Sequence, residues 1–431
     1  MHLSRLLLAN AAALAATPAL AGGFYLQEQS PLAVGRAFAG EAAIGDSAAT
    51  IWFNPAGMTR LPGTSLEVGA HILDVSDHQT DLGSTRSGPG GTGSFPTGGG
   101  GGGNPFKNPI IIPSGYVSAQ VGQSRLWLGL GISAPFGVKV VYDNDFFGRY
   151  DSLRSDLKSF NIQPSVAYKL GDHFSVGGGV DIQTLRATLT SALPNLSPLL
   201  PDGNIRIRGS DVAFGWNVGV LADFGAVRLG ASYRSHVSHK LDGAVTIGGL
   251  LGPLAGSNGT RVGRAPISTP DIAIGSVVFG QGQLRLLGSV SWYNWSRFKR
   301  ITVEDYAGNV FLDSEQRYRD TWSGSAGVEY DISPKLTVRA GGMYDQTPTR
   351  DAYRTTRVPD GDRTWATAGL TYHVSKNLAL NASYAHVFVK SENVNRSDPL
   401  FAGTPVSINV ATNSRNSGNA DEIASSISLR F

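Results

Sequence analysis

The sequence predicts an all-β fold, a transmembrane antiparallel β-barrel of about fourteen strands over residues 64–431, with an N-terminal plug at 22–63 in its lumen. Three observations predict it. Segment after segment alternates apolar with small or polar residues, the connections alternate between very short and long, and 55 of 431 residues are glycine while none is cysteine. A period of two marks a sheet with two different faces, and alternating connections mark an up-and-down meander in a membrane. Without cysteine the fold is held by hydrogen bonding and packing, not by disulfides.

Residues 1–21 read as an export signal: Arg5 is the basic start, Leu6 to Ala16 the short apolar stretch, and Ala19-Leu20-Ala21 a small-x-small cleavage site. The mature chain is expected to begin near Gly22. Residues 22–63 break the strand pattern, with small residues throughout, helical stretches around Arg36 to Ala43 and an Asn54-Pro55-Ala56 turn at the close. A fourteen-strand lumen is too wide for its own side chains to fill, and a compact segment of this length fits it.

The strands follow. Ile423, Ser425, Ile427, Leu429 and Phe431 share one face, with Ala424, Ser426, Ser428 and Arg430 on the other. Leu336, Val338, Ala340 and Tyr344 oppose Thr337, Arg339 and Gly341 in the same way, as Val227, Leu229, Ala231 and Tyr233 oppose Arg228, Gly230, Ser232 and Arg234. Short connections fall at 122–124, 171–172, 224–225, 281–282, 333–334 and 375–377; long ones at 76–108, 135–155, 189–208, 248–266, 304–316, 349–362 and 390–418. Such a chain puts every tight turn at the periplasmic end and every long loop outside, and closure leaves no open edge in lipid. A soluble sandwich or solenoid also alternates, but Tyr168, Trp292, Trp322, Tyr330, Tyr344, Tyr372 and Tyr384 keep the apolar parity near strand ends, where interfacial girdles lie. Residues 88–103 are low in complexity and predict a flexible stretch of the first long loop.

Charge excludes some functions. Lys plus Arg at 36 against Asp plus Glu at 33 offers nucleic acid no basic surplus. The eight histidines show no metal spacing, there is no G-x-S-x-G elbow, and the glycine run 98–103 lacks the lysine and helix of a phosphate loop. No cofactor, metal or catalytic residue is expected. An outer-membrane lipid hydrolase is the alternative from another class.

The segment GGFYLQEQSPLAVGRAFAGEAAIGDSAATIWFNPAGM, followed in order by SAPFGVKVVYDNDFFGRY, AFGWNVGVLADF, YNWSRFKRITV and VPDGDRTWATAGLTYHV, resembles the FadL-type outer-membrane transporters of long-chain fatty acids and other hydrophobic compounds. The resemblance covers essentially the mature chain. It implies a barrel in the outer membrane of a Gram-negative bacterium, capture of an apolar ligand at an outer groove, transfer to a lumen pocket and sideways release through a kinked strand. Import of aromatic or alkane hydrocarbons is the alternative within the family. Implied partners are the hydrophobic ligand, outer-membrane lipid and lipopolysaccharide, and the barrel-assembly machinery that reads a strand ending in Phe431.

Sideways release has a physical reason, because a tail leaving into water loses roughly 0.8 kcal/mol per methylene. Ala134-Pro135-Phe136-Gly137 matches the family's kink, and proline removes a ladder donor there; an ordinary strand-to-loop boundary is the other reading. Leu193, Leu196, Leu199 and Leu200, with Phe136, Phe146 and Phe147, are candidates for the capture groove, self-packing loops being the alternative. Phe24 matches the aromatic that the family's plug extends into the pocket, and Leu26 follows it. Arg186 lies on the family's ligand-carboxylate strand, with Ser191 at the matching position itself and Lys299 and Arg300 near the second cation position. A ligand without a carboxylate needs no such pair, and lumen arginines also pair structurally with plug acids such as Glu41 or Asp46.

Overall fold

In the computed structural model, which describes residues 22–431, the chain closes into a ring of fourteen antiparallel strands; the predicted export signal lies outside the described residues. In chain order these are β1 (Thr64–Asp81), β2 (Ile110–Gln120), β3 (Leu126–Ser133 and Gly137–Val141), β4 (Arg154–Lys169), β5 (Phe174–Leu193), β6 (Gly203–Asp223) and β7 (Val227–Arg234 and Ser238–Gly248). The second half comprises β8 (Gly259–Ser268 and Ile272–Gln281), β9 (Leu284–Tyr293 and Arg300–Glu304), β10 (Val310–Glu315 and Thr321–Ser333), β11 (Leu336–Asp345), β12 (Arg363–His373), β13 (Leu378–Leu400) and β14 (Ile408–Arg430). Each strand pairs with its sequence neighbours, and β1 closes the ring against β14 from Ser65 opposite Arg430 to Asp81 opposite Ser414.

The two faces separate as the period of two requires. Ile423 and Ile427 are exposed on the outer wall while Ala424 and Ser426 are buried inside, and Trp322, Tyr330, Tyr344 and Tyr372 all point outward. All six tight turns fall where predicted. Six of the seven predicted long loops are shorter, most of all where β5 and β6 leave only 194–202 between them, β7 and β8 leave 249–258, β9 and β10 leave 305–309, and β13 and β14 leave 401–407. In those extensions alternation continues with charge on the outer face, as Arg206 and Arg208 do around buried Ile205 and Ile207, and so resembles loop composition. The stretch 88–103 is also less free than predicted. Gly100 bridges to Phe146, and an added Cβ at Gly102 would lie 2.7 Å from Tyr142, so the glycines let backbone run over buried rings.

Residues 22–63 lie inside the ring. Their helical pieces are α1 (Pro31–Val34), α2 (Glu41–Ile44) and α3 (Thr50–Phe53), followed by a 3-10 turn over Pro55–Arg60. The predicted helix around Arg36 to Ala43 is instead interrupted, with Ala37 (φ 51°), Phe38 (φ 60°) and Gly40 (φ 80°) left-handed. Arg36 holds this corner, donating to Glu41 at 2.7 Å, Asp46 at 2.8 Å and Glu329 of β10 at 2.7 Å. The acids Glu41 and Asp46 are thus met by an arginine of their own segment, while the lumen arginines Arg285 and Arg339 meet Glu329 of the wall.

Glycine in the wall is the counterpart of this segment. A Cβ at Gly219 would stand 2.0 Å from Asn54 Oδ1, and one at Gly230 would stand 1.8 Å from the Ala42 carbonyl. Asn54 itself donates to the carbonyls of Ala42 (2.6 Å) and Val220 (2.9 Å) and accepts from the Ala56 amide (3.0 Å). The Asn-Pro-Ala motif therefore caps the 3-10 turn and fastens it to β6 in one step.

Candidate functional site

Strand β3 breaks at Ala134-Pro135-Phe136. Below the break β3 pairs with β2 as far as Gly115 opposite Ile132; above it, Gly137–Val141 pairs only with β4. The wall between the upper parts of β2 and β3 has no ladder, and the N-terminal segment takes its place on the lumen side. The Leu26 amide donates to the Pro135 carbonyl and the Gly137 amide donates to the Phe24 carbonyl, both at 2.8 Å. On the other flank the Phe136 amide donates to Ser159 Oγ and the Ser159 hydroxyl donates to the Phe136 carbonyl, also at 2.8 Å. Every backbone group freed by the kink that these bonds satisfy would otherwise be a buried, unpaired donor or acceptor.

Phe24 extends from this junction across the lumen. Its ring centroid lies 6.1 Å from Phe136, 4.7 Å from Trp295 and 5.2 Å from Phe298, all edge-on, and Tyr318 packs against both of the last two. Such edge-to-face pairs add to plain burial. The start of the segment is tied down by the Gly23 amide, which donates to Asp360 at 2.9 Å, and Asp360 is held by Arg363. Burial holds the Asp360 carboxyl above the usual range despite that guanidinium. Glu28 is fully buried with neither carboxylate oxygen hydrogen-bonded, and burial, with the charge of Glu422, pushes it up to about 8.

Above the aromatic cluster opens a recess of about 570 Å³, lined by Ser296, Lys299, Arg300, Glu315, Arg317, Tyr318 and Arg350. Arg300 and Arg317 are paired with Glu315. Lys299 and Arg350 are exposed and make no ion pair among the described residues. Tyr318 forms part of the lining and also touches the Phe298 ring, so a cationic rim lies over an aromatic floor. A second, largely apolar recess, lined by Leu189, Ile207, Leu241, Val245, Ile267 and Ile301 with Arg208 and Arg264 at its edge, holds only about 20 Å³. That is room for one water-sized sphere, so a larger guest has to displace side chains.

A further interruption crosses β7 to β10 at a similar height. Here the break in β8 is held by Asp271, whose carboxylate accepts from Tyr233 (2.8 Å), His236 (2.9 Å), Asn294 (2.8 Å) and Arg297 (2.5 Å) and from the His236 amide (3.0 Å). Sequence reasoning missed this hub; of the cationic rim it named Lys299 and Arg300, near the family's second cation position, and missed Arg317 and Arg350.

The structure brings Phe24, Leu26, Ala134, Pro135, Phe136 and Gly137 together. It does not bring the rest of the predicted site with them. Arg186 is exposed on the outer face of β5, opposite Lys158 of β4 and Ser210 of β6, because it shares the parity of lipid-facing Val180 and Ile182; it is not a lumen cation. Phe146 and Phe147 are at most 1% exposed, Phe146 stacking on Tyr142 at 4.0 Å, so they are packed under the first long loop and line no open groove. Leu193 is buried and Leu196 packs against the core. Leu199 at 93% and Leu200 at 42% are exposed, beside the neighbouring loop that Asn195 ties in through Gly249 and Leu251, the latter 43% exposed.

Comparison with known proteins follows the same lines. Residues 12–431 match the model of the outer membrane protein transport protein family (OMPP1/FadL/TodX). The long-chain fatty acid transport protein of Escherichia coli O6:H1 is 27% identical over 420 residues, covering 88% of this chain and 90% of that protein. Outer membrane protein P1 of Haemophilus influenzae is 28% identical over 424 residues, covering 88% and 89%. Among solved structures, a Pseudomonas aeruginosa FadL homologue shares the fold with a TM-score of 0.82 at 22% identity, over 95% of this chain and all of that one. The Ralstonia pickettii toluene transporter TbuX aligns with a TM-score of 0.67 at 19% identity, over 95% and 99%.

Proposed function

Because the chain belongs to the outer membrane protein transport protein family (OMPP1/FadL/TodX), and so resides in the outer membrane of a Gram-negative bacterium, we propose that it imports hydrophobic small molecules, long-chain fatty acids foremost, and releases them sideways into the membrane. The observation that carries this reading is the seating of Phe24 to Leu26 in the break of β3. A wall gap closed by a segment's backbone, not by its neighbouring strand, reopens when that segment moves.

The route runs from outside inward. Exposed Leu199, Leu200 and Leu251 offer an apolar landing surface, and the recess beneath Lys299 and Arg350 receives a carboxylate while the tail meets Tyr318 and Phe298. The tail then displaces Phe24 from its ring cluster, and the Leu26 to Pro135 and Phe24 to Gly137 hydrogen bonds give way together. Residues 22–63 act as a plug, since their bonds to β6, β8, β9 and β10 obstruct a straight path to the periplasm. Neutral hydrocarbons are the second reading, favoured by the outward position of Arg186, which removes that predicted carboxylate partner from the lumen.

Binding to the purified barrel distinguishes the two. Replacing Lys299 and Arg350 together with alanine is expected to weaken a labelled C18 fatty acid by about 1.5 to 3 kcal/mol, the range for a charge-assisted hydrogen bond, and to leave octadecane unchanged. Equal losses for both would remove the carboxylate role, and a wild-type barrel that bound neither would sink the transport reading itself.

A further inference from the structure

The outer wall carries a basic surface that the transport route does not use. On the outward faces of β4, β5 and β6, cross-strand pairing sets three rows, from the cell exterior downward: Arg154, Thr190 and Arg206; then Asp156, Thr188 and Arg208; then Lys158, Arg186 and Ser210. The next rows down are Phe160, Thr184 and Val212, then Ile162, Ile182 and Phe214. Val212 (55% exposed), Phe214 (67%) and Ile162 (37%) thus form an apolar wall immediately below a cationic one.

The charges in the upper rows do not cancel. Asp156 is shared by Arg154 at 2.5 Å and Lys158 at 3.6 Å. Arg186, Arg206 and Arg208 are exposed, and no side-chain hydrogen bond or ion pair is formed by them among the described residues. Asp242 of β7 bounds the patch, but it accepts from the Tyr306 hydroxyl at 3.0 Å and lies opposite Arg264. Lys158 directly opposite Arg186 is an unfavourable like-charge pair, and an anion lodged between them removes the cost.

We propose that this surface binds the phosphate groups of a glycolipid anchored in the outer leaflet, with its acyl chains along Val212, Phe214 and Ile162. The height of the cations at the upper edge of the apolar wall matches an amphiphile whose charged head sits just above its tails. Guanidinium groups pair with phosphate through two parallel hydrogen bonds, and Thr188 and Thr190 place hydroxyl groups between the cations. The inference depends on residence in the outer membrane and on nothing about the transported ligand, so its failure leaves the transport route untouched.

The test uses the whole mature barrel in a neutral detergent, titrated by native mass spectrometry with bisphosphorylated lipid A and with the same glycolipid stripped of phosphate. The wild type is expected to retain the phosphorylated form at least roughly fivefold better, on the scale of one cation's contribution of about 1 kcal/mol at a charged lipid surface. Arg186→Glu combined with Arg208→Glu is expected to abolish that preference, with heat-resistant migration confirming an intact barrel. Lys376→Glu, the same kind of charge reversal on an exposed periplasmic turn, is expected to keep it. Equal preference in the double variant, or equal retention of the stripped glycolipid by the wild type, would overturn the proposal. Displacement of lipid A by inorganic polyphosphate at equal phosphate concentration would overturn its lipid-anchored occupant.

Discussion

The barrel wall is interrupted on two sides, and the two interruptions are mended differently. At β3 the missing ladder is replaced by backbone hydrogen bonds from Phe24 and Leu26, which belong to the N-terminal segment. At β8 the break is held by Asp271, whose partners Tyr233, His236, Asn294 and Arg297 all belong to the wall. A repair made by a separate segment can be undone without disturbing the strands. One made by the wall's own side chains cannot, which is why the proposed route uses the first break and not the second.

Breaking that contrast at β3 has the largest expected effect. Gly137 is buried beside Pro135 and donates its amide to Phe24. Gly137→Arg is expected to fill the gap and nearly abolish uptake of a hydrophobic substrate by cells that depend on the protein, at unchanged surface expression and with ligand binding at the outer loops retained. Gly100→Ser, which has open space around its Cβ apart from Asp145 at 3.8 Å, is expected to do little. Normal uptake through a verified Gly137→Arg barrel would return the path to a vertical one past the plug.

At β8 the prediction concerns stability, not passage. Asp271→Ala removes the acceptor from Arg297, His236, Tyr233 and Asn294 and is expected to cost about 2 to 3 kcal/mol, the upper range for hydrogen bonds to a charged group. A fall in the midpoint of thermal or denaturant unfolding, with uptake per folded barrel preserved, would sharpen the contrast. Loss of uptake from a barrel of unchanged stability would blur it.

The smallest effect concerns how tightly the repair at β3 holds. Glu28 follows Leu26 closely, and its raised value of about 8 against an ordinary 4.5 means that the docked segment keeps a proton the undocked one releases. The contribution to docking is then complete below about 4.5 and is lost as pH rises through about 8. The titratable and charged groups around it are Glu422, His71 and Arg363. Hydrogen exchange at the Leu26 and Gly137 amides, corrected for intrinsic rates, is expected to quicken several-fold between about pH 5 and 9, and Glu28→Gln is expected to flatten that change. An unchanged slope in the variant would assign the titration elsewhere.

Parity explains how much of this was legible in the sequence. The alternation around Ile423 and Ala424 named both faces of β14, and the tight turns fixed the strand count. The same counting by twos from Val180 and Ile182 puts Arg186 outside, against the role the family likeness implied, so local physics was the better guide there. The upper strands hid because Arg206 and Arg208 break the apolar alternation while Ile205 and Ile207 maintain it on the other face. Phe146 and Phe147 looked exposed because the glycines that cover them lie some forty residues earlier. Asp271 and Arg350 left no local signal, since their partners come from distant parts of the chain, whereas Lys299 and Arg300 were named through the family likeness. The kink at Pro135 was legible; the hydrogen bonds that close it were not.

The hairpin of β13 and β14 has one more consequence. Each strand runs for 23 residues, a contour of roughly 75 Å at the usual rise, which at a barrel tilt of about 40° still stands near 60 Å tall against an apolar band of about 25 Å. More than half of that height lies outside the apolar band. The tip at 401–407 is therefore carried above the lipid headgroups into the carbohydrate layer, as a mast on the cell surface. Insertions at the exposed residues 402–405, between Phe401 and Val406, which pack against the core, lengthen the mast without touching the plug or the wall, which makes them the place to graft an epitope for counting barrels on living cells.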